Sequence, residues 1–330
     1  MAARFISAPA RLFLAVLILV VGACTPAAPS AAPTATALAP TTAATAAPTP
    51  TAASVFPVTV IDDEGTEVTI PAEPQRIVSL TPDTTETLFA IGAGSRVVAK
   101  VEDIANYPPE AASVPVVATF AGVDVERIVD LEADLVVSGG AGLTQGAAVE
   151  QLRRAGIPVL VSYPTTIDEG LASMRRIGVA VGLGTQAATL ADDIAARIDD
   201  LAVLASSAGT RPRVFYEIDV TGGIFTPPAD SIYGEMFRLA GGEPISGSAN
   251  YSISLEELVA ADPEVILLGD AAYGVTPEQV ADRAGWGGMT AVKNGRIVAI
   301  DDIVVTRPGP RLVEGLRALV AAIHPELTLP

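Results

Sequence analysis

The sequence predicts an α/β fold of two parallel-sheet lobes bridged by a long α-helical segment, with a ligand cleft between the lobes. Three observations lead there. Short Val/Ile/Leu runs at Ile77–Leu80, Val97–Lys100, Leu135–Ser138 and Val159–Ser162 alternate with stretches of helical periodicity, the pattern of parallel strands buried on both faces. Ile167–Val181 and Thr185–Ser207 then form a helical stretch broken only around Gly182 and Gly184. Past Gly209 the alternation resumes, with strands expected at Val214–Ile218, Val265–Leu268 and Ile297–Ile300 and helices at Ser231–Ala240, Leu255–Ala260 and Pro310–Ile323.

Each element has its own warrant. Val58–Ile61 and Val68–Ile70 flank Asp62-Asp63-Glu64-Gly65 and read as a β-hairpin with glycine in the turn. In the second bridging stretch Leu190, Ile194, Ile198, Leu201 and Leu204 make one apolar stripe, and Asp192, Asp193, Arg197 and Asp200 occupy the remainder. The two halves also echo each other. Glu126–Gly139 (ERIVDLEADLVVSG) and Glu256–Gly269 (EELVAADPEVILLG) each read as a short helix, an acidic turn and a buried strand. Two such lobes present strand C-termini and loops to a shared crevice, where folds of this kind hold ligands.

The ends and the charge set the cellular context. Arg4 and Arg11 precede an apolar run, Leu12–Val21, about half the length that spans a bilayer, so residues 1–23 read as a signal peptide. The run ends in Val21-Gly22-Ala23-Cys24, which resembles a bacterial lipobox and makes Cys24 the expected lipidation site. Cys24 is the only cysteine, so no disulfide within the chain is possible. Residues 24–56, almost wholly Ala, Thr, Pro and Ser and without charge, cannot bury enough apolar area to fold, and read as a tether of ~30 to ~90 Å reach. The expected body comprises an N-terminal lobe (57–165), a bridge (166–209) and a C-terminal lobe (210–330). Loss of the two leader arginines takes the formal net charge from −18 to −20, which excludes nucleic acid and anionic lipid as partners. The protein is expected to be exported, held to the cell membrane by its lipid anchor alone and facing the periplasm or exterior.

Enzymatic machinery is hard to assemble from these residues. The single histidine, His324, lies near the C-terminus beside a proline and reads as a surface residue at a helix end. No Gly-x-Ser-x-Gly elbow, P-loop or His-Glu-x-x-His run occurs. Gly92-Ala93-Gly94 lacks the third glycine of a dinucleotide fingerprint and reads as a helix stop. One histidine and one cysteine cannot close a zinc or manganese site, and no Asp-x-Asp-x-Asp-Gly calcium spacing occurs. Asp192-Asp193 and Asp301-Asp302 read as solvated faces. The expectation is a binding protein that is not an enzyme, with no metal of its own and no cofactor.

Several runs carry a family resemblance. Arg76-Ile77-Val78-Ser79-Leu80-Thr81-Pro82 followed by Thr85–Gly92 resembles the opening of the vitamin B12 and iron-siderophore binding proteins of ABC importers. Tyr107-Pro108-Pro109, Val125-Glu126-Arg127-Ile128, Ala133-Asp134-Leu135-Val136 and Arg307-Pro308-Gly309-Pro310-Arg311 follow in that family's order, so the resemblance spans about residues 74–325. It implies two α/β lobes joined by a long helix, a guest held between them with little hinge motion, and a monomer that delivers a small-molecule metal chelate to an ABC permease dimer. It further implies one docking glutamate per lobe, matched here to Glu126 and to Glu235 in Tyr-Gly-Glu-Met. Carboxylate–guanidinium pairs suit such docking because they are strong and geometrically fixed.

The same resemblance suggests ligand contacts at Thr81, Phe120, Phe225 and Arg307, and Tyr107, Tyr251 and Tyr273 are further candidates as aromatics in loops. Phe120, in Thr119-Phe120-Ala121-Gly122, stands where the corrinoid binders usually carry tryptophan and where the haem binders carry a ligating tyrosine. It favours a stacked macrocycle and opposes haem. Arg307 points the other way, toward an anionic ferric siderophore, unless it pairs with a carboxylate. A corrinoid is the preferred guest and a ferric siderophore the alternative.

Overall fold

The computed structural model describes residues 55–140, 146–246 and 251–330. The leader, Cys24 and most of the Ala/Thr/Pro segment lie outside the described residues. Strands β1 (Val58–Ile61) and β2 (Glu67–Ile70) form the expected hairpin, Val58 opposite Ile70. Its turn needs a left-handed residue, which Gly65 supplies at φ 77°. Asp62 accepts the N–H groups of Glu64 and Thr66, Arg153 (3.1 Å to Asp62) ties the hairpin to the first lobe, and Arg176 (to Asp63) ties it to the bridging segment.

The first lobe follows. Strands β3 (Ile77–Ser79), β4 (Val97–Val101), β5 (Val116–Thr119), β6 (Gly122–Val123), β7 (Leu135–Ser138) and β8 (Val159–Val161) make one sheet in the order β6-β5-β4-β3-β7-β8, parallel except for β6. Helices α1 (Pro82–Ala90), α2 (Val125–Asp130) and α3 (Gly146–Arg154) connect them. α1 starts on a proline, whose missing N–H costs nothing in the first turn, and is followed by Gly92 at φ 93° as the composition predicts. The antiparallel β5–β6 return is absent from the sequence reading because two residues of edge strand leave no periodicity to detect.

The bridge is made by α4 (Ile167–Ala180) and the 23-residue α5 (Gly184–Ser206), which run antiparallel, with Arg175 of one 2.5 Å from Asp192 of the other. At Gly178 a β-carbon would stand 2.1 Å from that of Ala187, so only glycine permits this approach. The pair has a face in each core. Ile177, Ala180, Val181 and Ala187 pack with Ile70, Leu88 and Leu135, whereas Leu171, Met174, Ile194, Ile198 and Leu201 pack with Tyr216, Phe237 and Leu316.

The second lobe contains β9 (Arg213–Glu217), β10 (Ile224–Phe225), α6 (Ile232–Leu239), β11 (Glu243–Pro244), β12 (Ser252–Ile253), α7 (Leu255–Ala261), β13 (Val265–Leu268), α8 (Pro277–Ala281), α9 (Thr290–Lys293), β14 (Ile297–Ala299), α10 (Asp302–Thr306) and α11 (Leu312–Ile323). Its sheet, β11-β9-β13-β14, is wholly parallel, and β10 and β12 form a small antiparallel ribbon beside it. β7 and β13, the strands of the internal repeat, are each buried along their full length.

Two sequence expectations are corrected. His324 caps α11 and is only 1% exposed, with Nε2 3.3 Å from the Gly241 carbonyl and Nδ1 3.2 Å from Glu326. A tight turn distant in sequence covers it. Asp302 is not a solvated carboxylate, because it is half-buried and accepts the Tyr216 hydroxyl at the end of the second sheet. Asp192 and Asp193 do sit on an exposed face, paired with Arg175 and Arg197.

Candidate functional site

A cavity of about 990 Å³ opens where the strand ends of the two lobes meet. The first lobe contributes Ser162–Thr165, which follow β8, and Asp83 at the start of α1. The second contributes Ile218 and Asp219 after β9, Phe225 on β10, the approach to α6 from Pro228 to Tyr233, Tyr251 before β12, and Thr306 and Pro308 after α10. Asp83, Ser162–Thr165, Ile218 and Asp219 reach the cleft from beyond the C-terminal ends of β3, β8 and β9, as expected for open α/β sheets, and the β10–β12 ribbon and the segment after α10 complete the wall.

Aromatic and carboxylate groups dominate the wall. Tyr163, Tyr233, Tyr251 and Phe225 supply flat apolar surface, and Asp83, Asp219 and Asp230 supply negative charge. Among the described residues no lysine, arginine or histidine lines the cavity. Burial raises the Tyr233 hydroxyl well above its ordinary value, with Asp302, Tyr251 and Tyr163 adding to the effect. Burial, Tyr163 and Asp230 raise Tyr251 similarly, so both phenols remain protonated. Asp219 is held below the usual carboxylate range by its bonds to Thr221 and remains ionised. Asp83 moves upward, chiefly through burial, against a bond from Thr81. Tyr251 occupies the left-handed region at φ 59°, and its carbonyl accepts the N–H of Thr226.

The residues singled out from sequence divide into two groups. Phe225 and Tyr251 line the cavity. Thr81 is buried and bonded to Thr84, at the N-cap of α1 and behind the wall. Tyr107 lies under the Arg311 guanidinium at 4.0 Å. Phe120 projects fully into solvent from the β5–β6 turn, and Tyr273 is likewise exposed. Arg307 is committed to carboxylates, donating to Glu86 (2.8 Å) and to both oxygens of Asp103 (2.6 and 3.1 Å). Arg311 donates twice to the same Glu86, at 2.6 and 2.9 Å. Glu86 belongs to α1 and both arginines lie between α10 and α11, so this buried network ties one lobe to the other.

Glu126 is exposed in the first turn of α2. Glu235 differs. It is half-buried on α6, and its carboxylate accepts the Ile167 N–H at 2.9 Å, satisfying the first turn of the bridging helix α4. The second-lobe counterpart of Glu126 is instead Glu256, in the first turn of α7. α2 and α7 have the same alternation of exposed and buried positions from Val125 and Leu255 onward, and their N-caps Asp124 and Ser254 each accept the N–H three residues on. The internal repeat already aligns Glu126 with Glu256 and is the signal that finds this position.

The periplasmic binding protein family model matches residues 77–304. The chain belongs to the periplasmic binding protein family. It is 34% identical to the ABC transporter substrate-binding lipoprotein YvrC of Bacillus subtilis, over 82% of this chain and 87% of the relative. It is 30% identical to a cobalamin-binding protein of Halobacterium salinarum, over 82% and 75% respectively. Among solved structures, the periplasmic haem-binding protein RhuT of Roseiflexus sp. RS-1 superposes with a TM-score of 0.68 at 27% identity, covering 76% of this chain and 98% of RhuT. Family membership makes this a substrate-binding component of an ABC transporter, acting outside the cytoplasm. No described helix is long and apolar enough to cross a membrane.

Proposed function

We propose that the protein captures a metal-chelate nutrient, preferentially a corrinoid, and hands it to an ABC permease while tethered to the membrane through a lipid on Cys24. The observation that carries this reading is the 990 Å³ cleft with four aromatic side chains and no lining cation among the described residues. That volume stands at the top of the ordinary range for small-molecule sites and suits a macrocycle. Aromatic rings offer faces for the corrin plane, and the cleft carboxylates can accept hydrogen bonds from its peripheral amides. Haem propionates or an anionic ferric siderophore would need a guanidinium or ammonium partner, and Arg307 is already occupied by Glu86 and Asp103. Iron ligation by a cleft tyrosine would begin from a phenol harder to ionise than usual. The cobalamin-binding relative supports the corrinoid choice, and the lipoprotein relative and the Val21–Cys24 run support the anchor.

Docking is assigned to Glu126 and Glu256, one exposed carboxylate at the same place in each repeat. The test of the ligand assignment is thermal unfolding of the detergent-solubilised full chain with cyanocobalamin, a ferric hydroxamate or haem. Cyanocobalamin at a hundredfold excess over its Kd should stabilise the fold by about 2.7 kcal/mol. A shift with haem or the hydroxamate alone would overturn the corrinoid reading, and no shift with any chelate would overturn the function.

A further inference from the structure

The sign of the charge in the cleft allows the guest class to be narrowed, on the reading of the cleft as a chelate receptacle. We infer that the cleft sorts chelates by charge, taking a net-cationic guest over a neutral one and rejecting an anionic one of the same shape.

Three carboxylates face the cavity and arrive from both lobes: Asp83 from the first, Asp219 and Asp230 from the second. Among the described residues none of the three forms a salt bridge, although Arg238 donates to the Ala229 carbonyl beside Asp230 and Arg307 acts on Asp83 from behind the wall. The two guanidiniums behind the wall, Arg307 and Arg311, are matched by two further carboxylates, Glu86 and Asp103, so they bring no net positive charge to the lining. Asp219 and Asp230 carry most of the field, because burial draws Asp83 toward its protonated form. Behind Tyr163, Arg176 is likewise matched by Asp63, and Glu169, bonded to Thr165, adds a negative charge. The internal segments outside the described residues, 141–145 (AGLTQ) and 247–250 (GSAN), contain no ionisable side chain and so supply no cation wherever they lie.

The chemistry follows from Coulomb's law. A cation entering this site meets fixed negative charge in a partly desolvated space, and an anion meets the same field with the opposite sign and no hydrogen-bonding cation to receive it. Asp219, kept ionised by the Thr221 N–H, maintains that field across the neutral range. The aromatic wall contributes in the same direction, because ring faces are electron-rich and attract cations.

The experiment compares guests of constant shape and stepped charge. One series is aquacobalamin, cyanocobalamin and a cyanocobalamin monocarboxylic acid, which run from one positive charge through neutral to one negative charge. The other is ferrioxamine B with its pendant ammonium free, acetylated or succinylated, which spans the same three charges on a hydroxamate core. Calorimetric titration of the full chain in detergent should give a Kd that rises about tenfold for each unit of positive charge lost at low salt, in whichever series binds. High salt should compress the steps. Asp230→Asn alone, and Asp219→Asn with Asp230→Asn, should flatten the dependence progressively while far-UV circular dichroism is unchanged. Affinities equal within a factor of two across a binding series, or tighter binding of the anionic member, would overturn the charge rule and leave the receptacle reading intact. Failure of every chelate to bind would overturn both.

Discussion

Replacing Glu86 by leucine tests whether the two lobes are locked by charge. Its carboxylate is wholly buried and receives Arg311 through two hydrogen bonds and Arg307 through one, across more than two hundred residues of sequence. Breaking a buried pair from one side typically costs about 3–5 kcal/mol, because a desolvated charge is left without a partner. Arg307 keeps both bonds to Asp103, so the loss falls mainly on Arg311, which retains the Tyr107 ring face. The low end therefore applies, about 3 kcal/mol. At about 2–4 °C per kcal/mol for a body of this size, thermal unfolding followed by circular dichroism should show Tm falling by about 6–12 °C. Glu86→Leu combined with Arg311→Leu should recover most of the loss, since the orphaned charge is then absent. A single-variant shift below about 2 °C, or a double variant worse than the single, would refute the account of the network as an interlobe clamp.

Other consequences are equally direct. Glu126→Ala with Glu256→Ala should leave chelate affinity unchanged and abolish uptake through the cognate permease, whereas normal uptake would refute the docking assignment. Glu235→Ala should act on stability instead, lowering it by about 1 kcal/mol through loss of the acceptor at the α4 N-terminus, measured by urea unfolding. Asp270 is buried beside Glu217, which already takes Arg283, and its carboxyl is pushed up from 3.8 to about 7 by burial first and the Glu217 charge second. A carboxyl raised in the folded state favours folding while protonated. Its contribution is intact below about pH 4 and lost as the pH climbs toward 7. Urea unfolding between those limits should thus decline less steeply for Asp270→Asn than for the unmodified protein. Cys24→Ser should release the protein from the membrane fraction, and persistent association would contradict the lipid anchor.

Much of the architecture was legible because it is local. Val265–Leu268 is apolar at every position and flanked by turn residues, which only a strand buried on both faces requires, and the Leu190–Leu201 stripe gives α5 one core-facing side. The repeat at Glu126 and Glu256 likewise encodes the paired helix–strand units. Very short elements such as β6, β11 and α10 escaped because their two to five residues cannot establish a period.

The cleft itself could not be read in the same way. Phe225 is legible through family likeness and Tyr251 as an aromatic in a loop, but Asp83, Tyr163, Asp219 and Tyr233 are ordinary loop and helix-start residues until two sheets bring their strand ends together. The state of a charged side chain depends on partners that chain connectivity does not specify. Arg307 is a plausible anion clamp in sequence and a neutralised strut in the fold, because Glu86 and Asp103 approach it from residues over two hundred positions away. Composition and periodicity determined that there would be two α/β lobes and a crevice between them. Only tertiary packing decided which carboxylates were left uncompensated inside it, since burial and pairing are properties of neighbours in space.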